Sequence, residues 1–81
     1  MQDIKVEPGS RWQHFKGDIM EVVMIVLHTE TLEEMVVYKH GTDFWARPIS
    51  SFLSLDDVSN RPDNKTGQQY RFVKMEENDE P

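Results

Sequence analysis

The stretch Ile19-Met20-Glu21-Val22-Val23-Met24-Ile25-Val26-Leu27-His28 is the one long apolar run in the chain. It is rich in β-branched residues, holds no Gly or Pro, and follows Lys16-Gly17-Asp18, a tight-turn sequence. Val and Ile suit the pleated backbone better than the helix. We therefore read the run as a central strand. Alternation puts Ile19, Glu21, Val23, Ile25 and Leu27 on one face and Met20, Val22, Met24, Val26 and His28 on the other. Both faces are apolar in the middle, so the strand is expected to be covered on both sides or to curl across a barrel.

Upstream, Arg11-Trp12-Gln13-His14-Phe15 reads as a short strand that pairs with the central one through the Gly17 turn, with Trp12 and His14 sharing a face. Residues 1–10 end in Pro8-Gly9-Ser10 and read as a flexible lead-in. Downstream, a polar loop leads to the strand Met35–His40. Gly41-Thr42 then suits a type II′ turn into a returning strand, Phe44–Arg47. With Gly41 and Thr42 as the central pair, counting sets His40 against Asp43, Lys39 against Phe44, Tyr38 against Trp45, Val37 against Ala46 and Val36 against Arg47.

Pro48 ends that strand and favours a helical turn that carries Ile49, Phe52 and Leu53. Ser54-Leu55-Asp56-Asp57 resembles a capping box for a second short turn. A turn-rich loop from Asn60 to Gln68 precedes a closing strand, Gln69–Lys74, with Tyr70 and Phe72 inward. The expected fold is all-β: a small antiparallel five-stranded SH3-like barrel with a short helical turn before the last strand, and an OB-like barrel as the second choice. Residues 11–75 form that barrel domain, and 76–81 are expected to be a disordered acidic tail.

The chain has 81 residues and no cysteine, which rules out disulfides and thiolate metal sites. The amino terminus lacks an apolar signal region and no run is long enough for a membrane helix, so a cytoplasmic protein with no membrane association is expected. The net charge is −6, but residues 11–75 carry nine acids and eight bases, while 76–81 carry four acids and no base. A near-neutral body argues against a nucleic-acid partner.

Several segments occur together in a familiar order: Trp12-Gln13-His14-Phe15-Lys16-Gly17, Glu21-Val22, His28-Thr29-Glu30-Thr31-Leu32-Glu33-Glu34, Val36-Val37-Tyr38, and Trp45-Ala46-Arg47-Pro48 with Phe52. As a set they resemble the bacterial domain of unknown function 1653 family over roughly residues 9–72. That family has Tyr where this chain has Trp12 and again where it has Met20, and a longer connection between Tyr38 and Trp45. The resemblance implies a family and no activity.

His14, His28 and His40 stand 14 and 12 residues apart, which matches no metal-ligand spacing. No nucleophile elbow and no glycine-rich phosphate loop is present, so neither a metal nor a cofactor is expected. The candidate constellation is Trp12, His14, Lys16, His28, Glu30, Tyr38, Trp45 and Arg47. Aromatic platforms beside a guanidinium suit a peptide or a small anionic ligand, so the first expectation is a binding module. The same residues also fit core packing, with Arg47 clamped by Glu21 or Glu30. One alternative is a small enzyme or auxiliary domain with His14 or His28 as general base assisted by Glu30. A single-stranded nucleic-acid binder is another. Either a monomer or a homodimer paired through the Phe44–Arg47 edge fits the pattern.

Overall fold

The computed structural model describes residues 1–75; the expected acidic tail, 76–81, lies outside the described residues. Five strands and one helical turn follow in order: β1 (Arg11–His14), β2 (Ile19–Leu27), β3 (Glu34–His40), β4 (Asp43–Pro48), α1 (Ile49–Phe52) and β5 (Phe72–Lys74). All neighbours are antiparallel in one sheet of order β4-β3-β2-β1-β5. The all-β class and the helical turn before the last strand are as the sequence implies. No ladder joins β4 to β5 among the described residues, so hydrogen bonds do not close the sheet into a barrel. Instead the sheet curls, and side chains from its two edges meet over the core.

The turns pin the register. Gly17 takes φ 106° in the β1–β2 turn, where a side chain would be strained. Gly41 takes φ 66° while Thr42 keeps a negative φ, which is the type II′ pattern. The β3–β4 register is the one counted from the sequence, from His40 opposite Asp43 to Val36 opposite Arg47.

The central strand departs from strict alternation. Val22 pairs with Tyr38 but Met24 pairs with Val37, which leaves Val23 as an extra residue in a β-bulge. Beyond it the faces exchange. Met20 and Val22 are buried, and Ile25 rather than Met24 then packs on the core beside Val36. Met24 is 47 % exposed. A bulge also bends and twists its strand, which suits a long strand that must serve both halves of a curled sheet.

The core is built on aromatics. Phe52 of α1 stacks on Phe72 of β5, with centroids 4.6 Å apart and planes at 12°, and Trp12 meets Phe52 edge-on at 5.0 Å. Tyr38 borders both phenyl rings. A buried indole needs a partner for its N–H. Trp12 Nε1 donates to Ser10 Oγ at 3.1 Å, which accounts for Ser10 as a buried polar residue.

Residues 1–10, read in sequence as a flexible lead-in, make specific contacts with the domain: Val6 joins the core, Gln2 N–H donates to Leu53 O, and Gln2 Nε2 donates to Phe72 O. A flanking segment that packs a side chain into the core gains apolar burial that offsets its ordering cost. Ser54–Asp57 forms no second helical turn; Ser54 Oγ accepts the Asp56 N–H in a local turn.

The loop from Leu55 to Arg71 lacks a ladder of its own and is held by two side-chain amides. Asn64 Nδ2 donates to Val58 O and Gln68 O, both at 2.9 Å, and its Oδ1 accepts the Thr66 and Gly67 N–H groups. Gln68 Nε2 donates to the carbonyls of Gln13, Tyr70 and Arg71. This ties the loop to β1 and delivers Arg71 and Phe72 to the place where the edges meet.

Candidate functional site: a donor-rich arginine cluster

Arg47 lies near the end of β4, opposite Val36 and on the same face as Tyr38. Its long side chain reaches across the core face to the other edge strand, where the guanidinium carbon stands 4.9 Å from the centroid of Phe72. Nε donates to Tyr38 Oη at 3.3 Å, and Nη1 donates to Ser51 Oγ at 3.2 Å. Ser51 reaches this position because one helical turn after Pro48 returns it to the side of Arg47. No carboxylate lies within salt-bridge distance of Arg47 among the described residues. The clamp to Glu21 or Glu30 that the sequence allowed is therefore not the one formed.

His14 lies at the same junction, opposite Phe72 across the β1–β5 ladder. Its ring meets Phe72 edge-on at 5.1 Å and lies tilted over Phe15 at 4.5 Å. Nδ1 accepts the Lys16 N–H at 3.1 Å. Burial first, and then the cations Arg71, Lys16 and Arg47, hold the imidazole below its ordinary value of 6.5, against an opposing pull from Asp18. Three cations thus gather around this partly buried imidazole in a chain whose net charge is −6.

Arg71 extends that field. Its guanidinium stands 5.5 Å from the Phe15 centroid, beside Arg61 at 5.0 Å and Lys16 at 6.0 Å. Arg61 and Lys16 share one carboxylate, Asp63, at 3.1 and 3.7 Å. Arg71, like Arg47, pairs with no acid among the described residues.

The hydrogen-bond inventory shows what the cluster lacks. A guanidinium has five N–H groups, and Arg47 commits two of them. The hydroxyls of Tyr38 and Ser51 accept from Arg47, and neither donates to another group among the described residues. No fully buried side-chain nitrogen or oxygen there is without a partner, so the unused Nη2 is within reach of solvent. Three N–H groups of Arg47 and the O–H groups of Tyr38 and Ser51 thus have no protein acceptor among the described residues. An acceptor-only group, a carboxylate or a phosphate, is the chemical complement.

Among the residues singled out in sequence, His14, Tyr38 and Arg47 come together, with Lys16 at the margin. Trp12 is fully buried and serves the core, so it offers no platform to a ligand. Trp45 lies opposite Tyr38 as expected, yet it is 51 % exposed and stacks on no other ring among the described residues, while Tyr38 packs on Phe52 and Phe72. His28 and Glu30 lie in the β2–β3 loop. There His28 Nδ1 accepts the N–H groups of Glu30 and Thr31, and Thr31 Oγ1 accepts that of Glu33. The His-Thr-Glu-Thr segment is thus turn chemistry, and it brings no carboxylate to His14. Ser51, Arg71 and Phe72 were not singled out in sequence. Ser51 stands four residues after Arg47 across a Pro, a signal that could have been used; the other two join only when the sheet curls.

Among the described residues no group of three or more His, Cys, Asp or Glu side chains is placed to hold a metal ion. No helix there is long and apolar enough to cross a membrane.

The family described as "Protein of unknown function (DUF1653)" matches residues 10–74. The chain belongs to this family. The match runs from Ser10, the partner of the Trp12 indole, to Lys74 at the end of β5, and so takes in the whole sheet and the arginine cluster. No curated protein and no solved structure matches the chain.

Proposed function

We propose that this domain is a binding module that holds the oxyanion of a peptide or small anionic ligand on Arg47, with Tyr38 and Ser51 donating beside it, Arg71 supplying field and His14 bordering the site. The carrying observation is the set of uncommitted donors on Arg47, Tyr38 and Ser51 without an acid among the described residues. The guanidinium is already oriented by two hydrogen bonds and a ring face, so little side-chain entropy remains to be lost on binding. Stacked-base recognition receives less support, because Trp12 and Tyr38 are core residues. The general-base alternative lacks its carboxylate, since Glu30 meets His28 only through a backbone N–H. A cytoplasmic location goes with this reading, supported by the cysteine-free composition, and fractionation with a tagged chain tests it.

The test is an NMR titration that follows the Arg47 Nε–H and the His14 ring while phosphate, sulfate and acetate are added in turn. Peptides ending in a free carboxylate or carrying a phosphoserine follow, to separate the two sources of the oxyanion. The expected result is a saturable shift at Arg47 that Arg47→Met abolishes without unfolding the domain. An Arg47 resonance that moves with none of these ligands overturns the proposal.

A further inference from the structure

We infer that β4 is a pairing edge for a second copy of this chain, joined antiparallel about a two-fold axis at Trp45. β4 is an end strand of the sheet, and Asp43 to Ala46 are all exposed. Which of its backbone groups are free follows from the register. In a two-residue hairpin the residues that flank the turn exchange both hydrogen bonds, and bonded pairs then alternate. His40–Asp43, Tyr38–Trp45 and Val36–Arg47 are therefore bonded pairs. Phe44 and Ala46 direct their N–H and C=O groups away from β3.

Proteins blunt such edges with lysine, a bulge, a covering segment or brevity. The opposite edge, β5, is only three residues long and ends in Lys74. Between Asp43 and Arg47, β4 has no charge and no bulge, and its central residues Phe44 and Trp45 are 62 % and 51 % exposed. Pro48 then ends the strand. What remains open is an unbulged edge with an apolar centre.

Three registers bring this edge against itself, and they are not equivalent. With the axis at Trp45, Phe44 pairs with the partner's Ala46 and Ala46 with the partner's Phe44. Each pair exchanges two hydrogen bonds, and a large side chain lies beside a small one. The two Trp45 residues then form a non-hydrogen-bonded pair, the geometry in which side chains approach most closely. Asp43 falls opposite the partner's Arg47 and Arg47 opposite the partner's Asp43 in backbone register, while each guanidinium stays turned inward on its own Phe72. With the axis at Phe44, only that residue finds a strand partner, because Thr42 belongs to the turn. With the axis at Ala46, Pro48 faces the partner's Phe44 and has no N–H to give. The Trp45 register alone satisfies every free backbone group while setting each Phe44 beside an Ala46 and one Trp45 against the other, and this self-complementarity selects a second copy over an unrelated strand. The two exposed rings from each copy cover on the order of 500 Å² in all, below the area of a standard interface, so the dimer is a weak one formed at high concentration.

The inference does not depend on the oxyanion reading, since the backbone carries it. The test is sedimentation velocity from micromolar to millimolar loading, together with amide hydrogen exchange. The sedimentation coefficient is expected to rise with concentration, and the Phe44 and Ala46 amides are expected to slow in step. Ala46→Pro removes an outward N–H while leaving every bond to β3 in place, so it is expected to stay folded and monomeric with its Arg47 donors untouched. A chain that is monomeric at every concentration, with rapid exchange at Phe44 and Ala46, overturns the inference. So does an Ala46→Pro chain that associates like the wild type, or an edge that gains protection only from an added extended peptide.

Discussion

Removing the Tyr38 hydroxyl separates a binding site from a structural clamp. The Arg47 Nε to Tyr38 Oη bond is 3.3 Å long, longer than the usual value of about 2.9–3.0 Å. Tyr38→Phe keeps the ring against Phe52 and Phe72 and deletes only that bond. The expected loss of stability is about 0.5–1 kcal/mol. In a domain of this size 1 kcal/mol moves the melting temperature by about 4–8 °C, so the expected drop is roughly 2–8 °C. Arg47→Met loses two hydrogen bonds and the contact with Phe72 but is relieved of a half-buried charge. Its net cost is expected to be about 1–2 kcal/mol. The double variant should show a coupling of about 0.5–1 kcal/mol.

Urea unfolding followed by tryptophan emission measures all four proteins, because Trp12 passes from full burial to water. The same substitutions are then carried into the oxyanion titration. Loss of a donor to a charged acceptor is worth about 1.5–3 kcal/mol, which is about tenfold or more in affinity. The cluster is therefore expected to lose more in binding than in stability when Tyr38 becomes Phe. A stability loss above about 2 kcal/mol with an unchanged oxyanion response would refute the reasoning and leave a clamp.

His14 titrates below 6.5 in the fold, so the unfolded chain binds more protons as the pH falls below 6.5, and its contribution to stability is lost between that value and its folded one. The chemical shift of its ring proton against pH checks this, and a midpoint at or above 6.5 contradicts it; bound oxyanion is expected to raise the midpoint. Asn64→Ala deletes four hydrogen bonds that hold the loop before β5 and is expected to cost about 2–3 kcal/mol; a urea-measured loss below about 1 kcal/mol denies the loop its clasp. Leu32 sits at φ 60° and is 70 % exposed. Leu32→Asn, better suited to the left-handed region, is expected to stabilise by about 0.5–1 kcal/mol, and a lower melting temperature contradicts that.

How far these features could be read from the sequence depended on whether one residue type constrained one outcome. Gly41-Thr42 and Pro48 bound a strand at both ends, so the β3–β4 register followed by counting and agrees at every pair. The bulge at Val23 gave no such signal. Val22, Val23, Met24 and Ile25 are all apolar, so a slip from one face to the other leaves the hydrophobic pattern unchanged. Val6 was equally silent, one apolar residue between charges whose burial depends on an edge that exists only after folding.

The two tryptophans show the same limit at the site. Each stands in a short strand with an arginine one or two residues away, and composition treats them alike. Strand order separates them: β1 lies between β2 and β5, so Trp12 is enclosed, while β4 is an end strand and Trp45 is half exposed. Arg47 belongs to that same end strand, yet its reach is long enough to find Phe72 on the far edge. A hydrophobic side chain there would close the seam more cheaply, since a half-buried charge pays a desolvation cost that hydrogen bonds to two neutral hydroxyls only partly offset. The residue at the seam is nonetheless an arginine with donors to spare. That local conflict between folding economy and residue choice is the kind found at functional positions, and it supports the proposal that the oxyanion site lies where the two sheet edges meet.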